Sequence, residues 1–275
     1  MRPTLSLSFD NLGEAAEIGA GALAPDAPQV GSHPTATEVL PQLLDRLDAH
    51  GLAVTFFVEG LNADLYPDLL VEIQSRGHEI GFHAWTHEQW GDLEIAEQAD
   101  NLARGIDAFA RLGIELAGFR PPGGGLGKGG TRVLREAGLR YCSPTGQGGA
   151  VEDGIGLLPF QWRHVDVTSM LPQLATVREE MVGSGDPLPP AVFSTCLEAE
   201  IDQLRETGGF ASIVLHPFLL EWLGEEGLEA LFGRLAGEAE RESLRVARFR
   251  DTADILLADP GCFGSVSLDA TSWSG

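Results

Sequence analysis

Leu5-Ser6-Leu7-Ser8-Phe9 alternates apolar and polar positions, which predicts a β-strand with Asp10 at its C-terminal end. Residues 12–34, rich in Gly, Ala and Pro, show no such period and predict a long irregular loop. A loop of that length inside a compact domain marks a functional or mobile segment. Thr37-Glu38 then opens a helix whose Val39, Leu40, Leu43, Leu44 and Leu47 form one apolar stripe, closed by Gly51. The rhythm repeats: strand 54–58, a helix from Ala63 to Arg76 ended by Gly77, and strand 78–82 running into His83. Ile95, Ala99, Leu102, Ile106 and Phe109 mark the next helix, and Leu116 to Phe119 leads to Arg120-Pro121-Pro122, where the prolines end regular pairing. A short helix (Thr131 to Ala137) and a short strand (140–142) follow. The Gly- and Pro-rich stretch 144–190 yields no clear period. Beyond it come a helix near Glu198 to Glu206, strand 211–215, a helix from Glu225 to Glu240, strand 244–249 and a last helix, Thr252 to Ala258. Strands alternating with helices predict parallel βα units in one α/β domain, a barrel or wound sheet. No internal repeat or linker interrupts it, and residues 259–275 are expected to be a loosely held tail.

Composition narrows the classes. The 275 residues are 43% hydrophobic, enough for a substantial core and against disorder. No apolar run reaches the roughly 18 residues of a membrane span. Met1-Arg2-Pro3-Thr4-Leu5 leads straight into the first strand without a signal-peptide core, so a cytoplasmic protein is expected. Cys142, Cys196 and Cys262 match neither a disulfide framework nor a zinc-ligand spacing, and are expected as buried reduced thiols. A formal net charge of −23 argues against nucleic acid and anionic membranes as partners. A homo-oligomer is compatible with the sequence.

The chemistry gathers where apolar strands end. Asp10, His83, Arg120 and His216 each follow one, and in parallel α/β folds active sites form at strand C-terminal ends. In His83-Ala84-Trp85-Thr86-His87 two imidazoles four residues apart could share a metal ion from one helical turn. Asp10-Asn11 would supply oxygen. Arg120 before Pro-Pro-Gly-Gly sits on a rigid loop that can aim a guanidinium at a carboxylate and offer backbone N–H groups to an oxyanion.

Together these segments resemble the polysaccharide-deacetylase family, with its chitin-deacetylase or NodB-type domain. Ser8-Phe9-Asp10-Asn11 stands where that family has threonine-phenylalanine-aspartate-aspartate. His83-Ala84-Trp85-Thr86-His87 is similar to its H-[ST]-x-x-H segment, Arg120-Pro121-Pro122-Gly123-Gly124 to its arginine-proline loop, and Leu215-His216-Pro217 to its late leucine-x-histidine segment. Trp162 to Asp166 stands for the weaker fourth segment. The resemblance covers residues 4 to 257. It implies a distorted (β/α)7-type barrel and hydrolysis of an N-acetyl or related C–N bond in a small molecule or glycan. Carried over, Asp10 is the general base, His83 and His87 hold a divalent metal such as zinc, and Arg120 orients Asp10. His216 is the general acid, oriented by Asp166. Trp85, Pro122, Gly123 and Gly124 are candidates for substrate contact.

The chain departs from the pattern at Asn11, where the family has a second aspartate as metal ligand. A neutral amide oxygen should weaken metal binding, and Asp10 or Glu14 could take the ligand role instead. Two alternatives therefore stay open: a metal-independent hydrolase of ureides such as allantoin, and a non-catalytic binding protein on the same scaffold. Without an export signal, a small amide is favoured over a polymer.

Overall fold

The computed structural model describes residues 2–269. Its first strand, β1 (Thr4–Asp10), is buried along its whole length. The alternation seen in the sequence separates two buried faces, not a dry face from a wet one. The polar face is satisfied internally: Ser6 Oγ lies 3.1 Å from Thr252 Oγ1, and Ser8 Oγ donates to the Ile213 carbonyl at 3.2 Å.

After β1 come α1 (Ala15–Gly19), a π-helical turn at Thr35–Val39 and α2 (Leu40–Ala49), whose Leu40, Leu43, Leu44 and Leu47 are buried. β2 (Thr55–Val58) follows. The helix expected from Ala63 to Arg76 is two, α3 (Asn62–Leu65) and α4 (Pro67–Ser75). Pro67 disfavours helical geometry at the residue before it, and Tyr66 sits there at φ −132°, ψ 50°. Then come β3 (Glu79–Phe82), α5 (Ile95–Ala110), started by a capping box of Glu94 and Glu97, and β4 (Gly118–Phe119). α6 (Gly130–Glu136) and β5 (Tyr141–Cys142) lead into the stretch that showed no period.

That stretch holds β6 (Gly146–Gln147) and a hairpin of β7 (Ala150–Glu152) and β8 (Ile155–Leu157), followed by α7 (Asp166–Met170) and α8 (Ala175–Val182). α9 (Pro190–Thr207) is longer than expected. It leads to β9 (Phe210–Leu215), and α10 (Leu220–Glu240) breaks its helical geometry at Gly224. The strand expected at 244–249 is only β10 (Arg245–Val246), because Phe249 already opens α11 (Phe249–Ala258).

Seven strands run parallel in the order β9-β1-β2-β3-β4-β5-β8, and β10 pairs with the first two residues of β1. The sheet curls into an open, distorted barrel, and a parallel bridge between Val165 and Val214 continues the curl toward β9. The expectation of a (β/α)7-type fold holds. Phe9, Phe56, Phe82 and Phe119 fill the main core with the leucines of α2. Each such side chain, fully buried, contributes about 1.5–3 kcal/mol.

The expected loose tail is a correction. Phe263 packs against Phe210, ring centroids 5.5 Å apart, and β11 (Ser267–Leu268) pairs antiparallel with β6. Asp269 accepts a hydrogen bond from Thr145 Oγ1 at 2.7 Å. Residues 270–275 lie outside the described residues.

Candidate active site

Parallel strands bring their C-terminal ends to one rim. Asp10 (β1), His83 (after β3), Arg120 (after β4) and His216 (after β9) meet there and line one cleft of about 390 Å3, with Asn11 and His87. Four separated segments thus converge.

Arg120 organises the floor. It is almost completely buried, and its Nη1 donates to Asp10 Oδ1 at 2.6 Å and to Ser8 Oγ at 2.8 Å. Its Nε and Nη2 donate to Ser143 Oγ at 3.2 and 3.1 Å, and the guanidinium lies 4.0 Å from the Phe57 ring centroid. A planar fork fixed on both edges cannot drift, so Asp10 Oδ1 is held. Asp10 Oδ2 points at His83, 3.9 Å from its Nε2.

The histidine segment does not form the helical turn expected of it. It is a loop with positive φ at Ala84 (63°) and His87 (64°). Glu88 cinches that loop: Oε2 accepts the N–H groups of Trp85 and Thr86, both at 2.9 Å, and Oε1 accepts Thr86 Oγ1 at 3.0 Å. The two rings still come together, centroids 4.9 Å apart. His83 Nδ1–H donates to the Arg120 carbonyl at 2.7 Å, which fixes the tautomer and leaves the Nε2 lone pair free. Burial pushes both imidazoles down to about 3, so they are neutral donors at ordinary pH.

His216 has the opposite character. Burial alone would lower its pKa, but Asp166 outweighs burial and raises it. Asp166 Oδ1 accepts His216 Nδ1–H at 2.6 Å, while Oδ2 accepts the His216 backbone N–H at 2.7 Å.

Other expected residues fall elsewhere. Glu14 does not line the cleft: its Oε1 accepts the Gly31 N–H and its Oε2 the Tyr66 hydroxyl, both at 2.5 Å, so it pins loop 12–34. Trp85 is buried beneath Arg104, whose guanidinium lies 3.6 Å from the ring centroid, and packs against Gly60. In the arginine-proline loop Pro121 and Gly123 line the cleft; Pro122 and Gly124 do not. Two prolines carry no N–H, and the N–H groups of Arg120 and Gly124 bond the carbonyls of Phe82 and Pro121, each at 2.9 Å. Gly123 is the remaining candidate donor to an oxyanion in that loop among the described residues.

Sequence reasoning missed Ser8, Ser143, Glu88 and Glu59. Glu59, just past β2, is fully buried, and burial next to Asp10 pushes its carboxyl up to about 8. It is therefore neutral at pH 7 and adds no competing charge beside Asp10. Ser8 was visible as the inward neighbour of Asp10 at period two; Ser143 and Glu59 carried no local signal beyond following an apolar strand.

The polysaccharide deacetylase family model matches residues 4–142, half of the chain. The chain belongs to the polysaccharide deacetylase family. A peptidoglycan-N-acetylglucosamine deacetylase of Bacillus cereus is 32% identical over 88 residues, which are 32% of this chain and 32% of that protein. The chain thus spans about a third of the length of that relative. A polysaccharide-deacetylase-type protein of Mycobacterium smegmatis superposes with a TM-score of 0.74 at 24% identity, over 99% of this chain and 96% of that one. The PuuE allantoinase superposes with a TM-score of 0.70 at 19% identity, over 93% and 90%. At these identities the likeness is one of fold.

Proposed function

We propose that the protein hydrolyses the C–N bond of an N-acyl compound, with removal of an acetyl group from nitrogen as the reaction suggested by the relatives' names. The observation that carries this reading is the pairing of two opposite proton-transfer groups in one cleft. Asp10 has one oxygen held by Arg120 and the other free, and His216 is held toward its protonated form by Asp166. Unactivated amide hydrolysis needs a base for water and an acid for the departing amine.

Asp10 Oδ2 takes a proton from water as its oxygen attacks the acyl carbon. Gly123 of the arginine-proline loop, which lines the cleft, would meet the oxyanion that forms. His216 gives its proton to the nitrogen as the C–N bond breaks, and carboxylic acid and amine leave. Arg120 keeps Asp10 in place, and Asp166 keeps His216 in the tautomer that presents Nε2–H to the cleft.

Two neutral imidazoles with a free Nε2 at His83 suit a divalent ion such as zinc. Among the described residues, however, no group of three or more His, Cys, Asp or Glu side chains is spaced to hold one. His83, His87 and the Asn11 amide would be the ligands, and the ion would polarise the acyl carbonyl. With a neutral third ligand, binding is weaker than with a carboxylate.

Asp10→Asn is the test of the base. Alanine there would leave the Arg120 guanidinium buried and unpaired, a loss of about 3–5 kcal/mol, so the isosteric amide separates chemistry from folding. We expect an unchanged circular dichroism spectrum and loss of turnover on N-acetyl substrates; near-native turnover removes Asp10 from the mechanism. Elemental analysis before and after chelation, with activity followed in parallel, tests the ion. Full activity with no stoichiometric metal would show that His83 and His87 act only as hydrogen-bonding groups. Asn11→Asp is expected to tighten metal binding.

A further inference from the structure

The cleft walls differ by origin. Its polar lining comes from the ends of β1, β3 and β4 and from loop 12–34, which contributes Glu17 and His33. The lining around His216 is of another kind. Trp162, Val165, Val167, Leu171 and Leu174 come from the segment between β8 and α8, and Val214 and Phe218 flank His216 itself. Gln173 is the uncharged polar side chain on that wall. Val165, Val167, Leu174 and Val214 form one buried cluster with Phe160, against which Trp162 and Leu171 pack half-buried.

Two aromatic rings belong to this wall. The Phe218 ring lies 5.3 Å from that of His216, and Trp162 stands edge-on to Phe160 at 5.2 Å. Phe218 is 45% exposed and lines the same cleft, so something that enters along this wall would cover apolar surface.

His216 identifies what that something is. If it protonates the leaving nitrogen, the wall around it receives the amine half of the substrate. We infer that this half is apolar, an alkyl or aryl group, and not the polyhydroxylated ring of an acetamido sugar; the inference rests on the hydrolase reading above. Hydroxyl groups moved from water onto this wall would find one side-chain amide to bond, and burying a polar group without a partner is unfavourable. An alkyl or aryl group there removes apolar surface from water on both sides of the contact. A cleft of about 390 Å3 is the size of a small-molecule site. Loop 12–34, pinned through Glu14, walls it on another side.

The test is a matched acetamide series: N-acetylglucosamine and its β-1,4 dimer against acetanilide and N-acetylhexylamine. We expect kcat/KM to be about tenfold or more higher for the apolar pair. Leu171→Ser, a half-buried position that tolerates a polar side chain, should lower kcat/KM for the apolar pair and so narrow the ratio. Calorimetric titration of the same compounds into Asp10→Asn reads the preference without turnover and should give the same order. Sugars that bind and react as well as the apolar compounds would overturn the inference while leaving the reaction in place. Absence of turnover on either series, with the calorimetric order kept, would sink the hydrolase reading and support the apolar wall. No binding of the apolar pair would overturn the inference outright.

Discussion

His216 shows how one residue type takes different roles by environment. His83 and His87 are neutral because burial dominates, whereas Asp166 reverses burial at His216 and keeps its proton on to higher pH. A raised pKa means that the acid form is complete at low pH and is lost as pH rises through the folded value. Asp166→Asn removes the charge that opposes burial, so the pKa of His216 falls. The alkaline limb of kcat/KM should then move to lower pH, and a pH–rate profile checks this; an unmoved limb places the acid elsewhere. His216→Ala should lower kcat by about 10²–10⁴-fold with little change in KM. At this scale the sequence was informative for residues that end strands, since an apolar run points to the rim it delivers. It was blind to two supporting partners, because Ser143 on Arg120 and Glu59 beside Asp10 are contacts across 23 and 49 positions of chain. Glu14, Trp85, Pro122 and Gly124, given ligand or substrate roles from the motifs, do not line the cleft for a related reason: membership of a motif fixes the backbone path, not the direction of each side chain.

Loop 12–34 is the element whose behaviour the sequence posed as a question, and one side chain largely settles how it is held. The same Pro67 that splits the expected helix leaves Tyr66 outside helical geometry. Its hydroxyl donates to Glu14 and accepts the His33 N–H at 2.8 Å, bridging both ends of the loop. Tyr66→Phe removes both bonds and leaves one Glu14 oxygen short of a donor. That costs about 1–3 kcal/mol, or roughly a five- to 150-fold rise in local opening. Amide hydrogen exchange should therefore quicken across residues 20–33 while β1 stays protected; equal loss of protection in β1 would show that the loop does not open separately. Elements with a strong period, such as α2 and α5, were legible in the sequence. The hairpin of β7 and β8 was missed although Asp153-Gly154 is a two-residue turn signal, with φ of 51° and 83°. Three-residue strands are too short to show a period, and pairing with β5 places β8 in the sheet.

For the whole molecule, parallel alternation was enough to predict the curled α/β sheet, but tertiary contact alone decides that the segment after Asp259 packs as far as Asp269. Charge acts at this scale too, and two electrostatic terms oppose each other. Ion pairs such as Arg46–Glu225, Arg111–Asp64 and Arg234–Asp202 stabilise the fold and weaken when salt screens them. The net charge of −23 repels itself in the compact state, and that repulsion also weakens with salt. Exposed pairs are worth about 0–1 kcal/mol each and act over one contact, whereas repulsion sums over every pair of like charges within a Debye length. That length shrinks from about 30 Å at 0.01 M to about 8 Å at 0.15 M, so the long-range term loses most. The buried Arg120–Asp10 pair is shielded from solvent and barely responds. Repulsion should therefore dominate the salt response, and Tm should rise between 0.01 and 0.15 M sodium chloride. Thermal unfolding followed by circular dichroism across that range decides the matter: a Tm that falls would mean that the surface ion pairs outweigh the excess of negative charge.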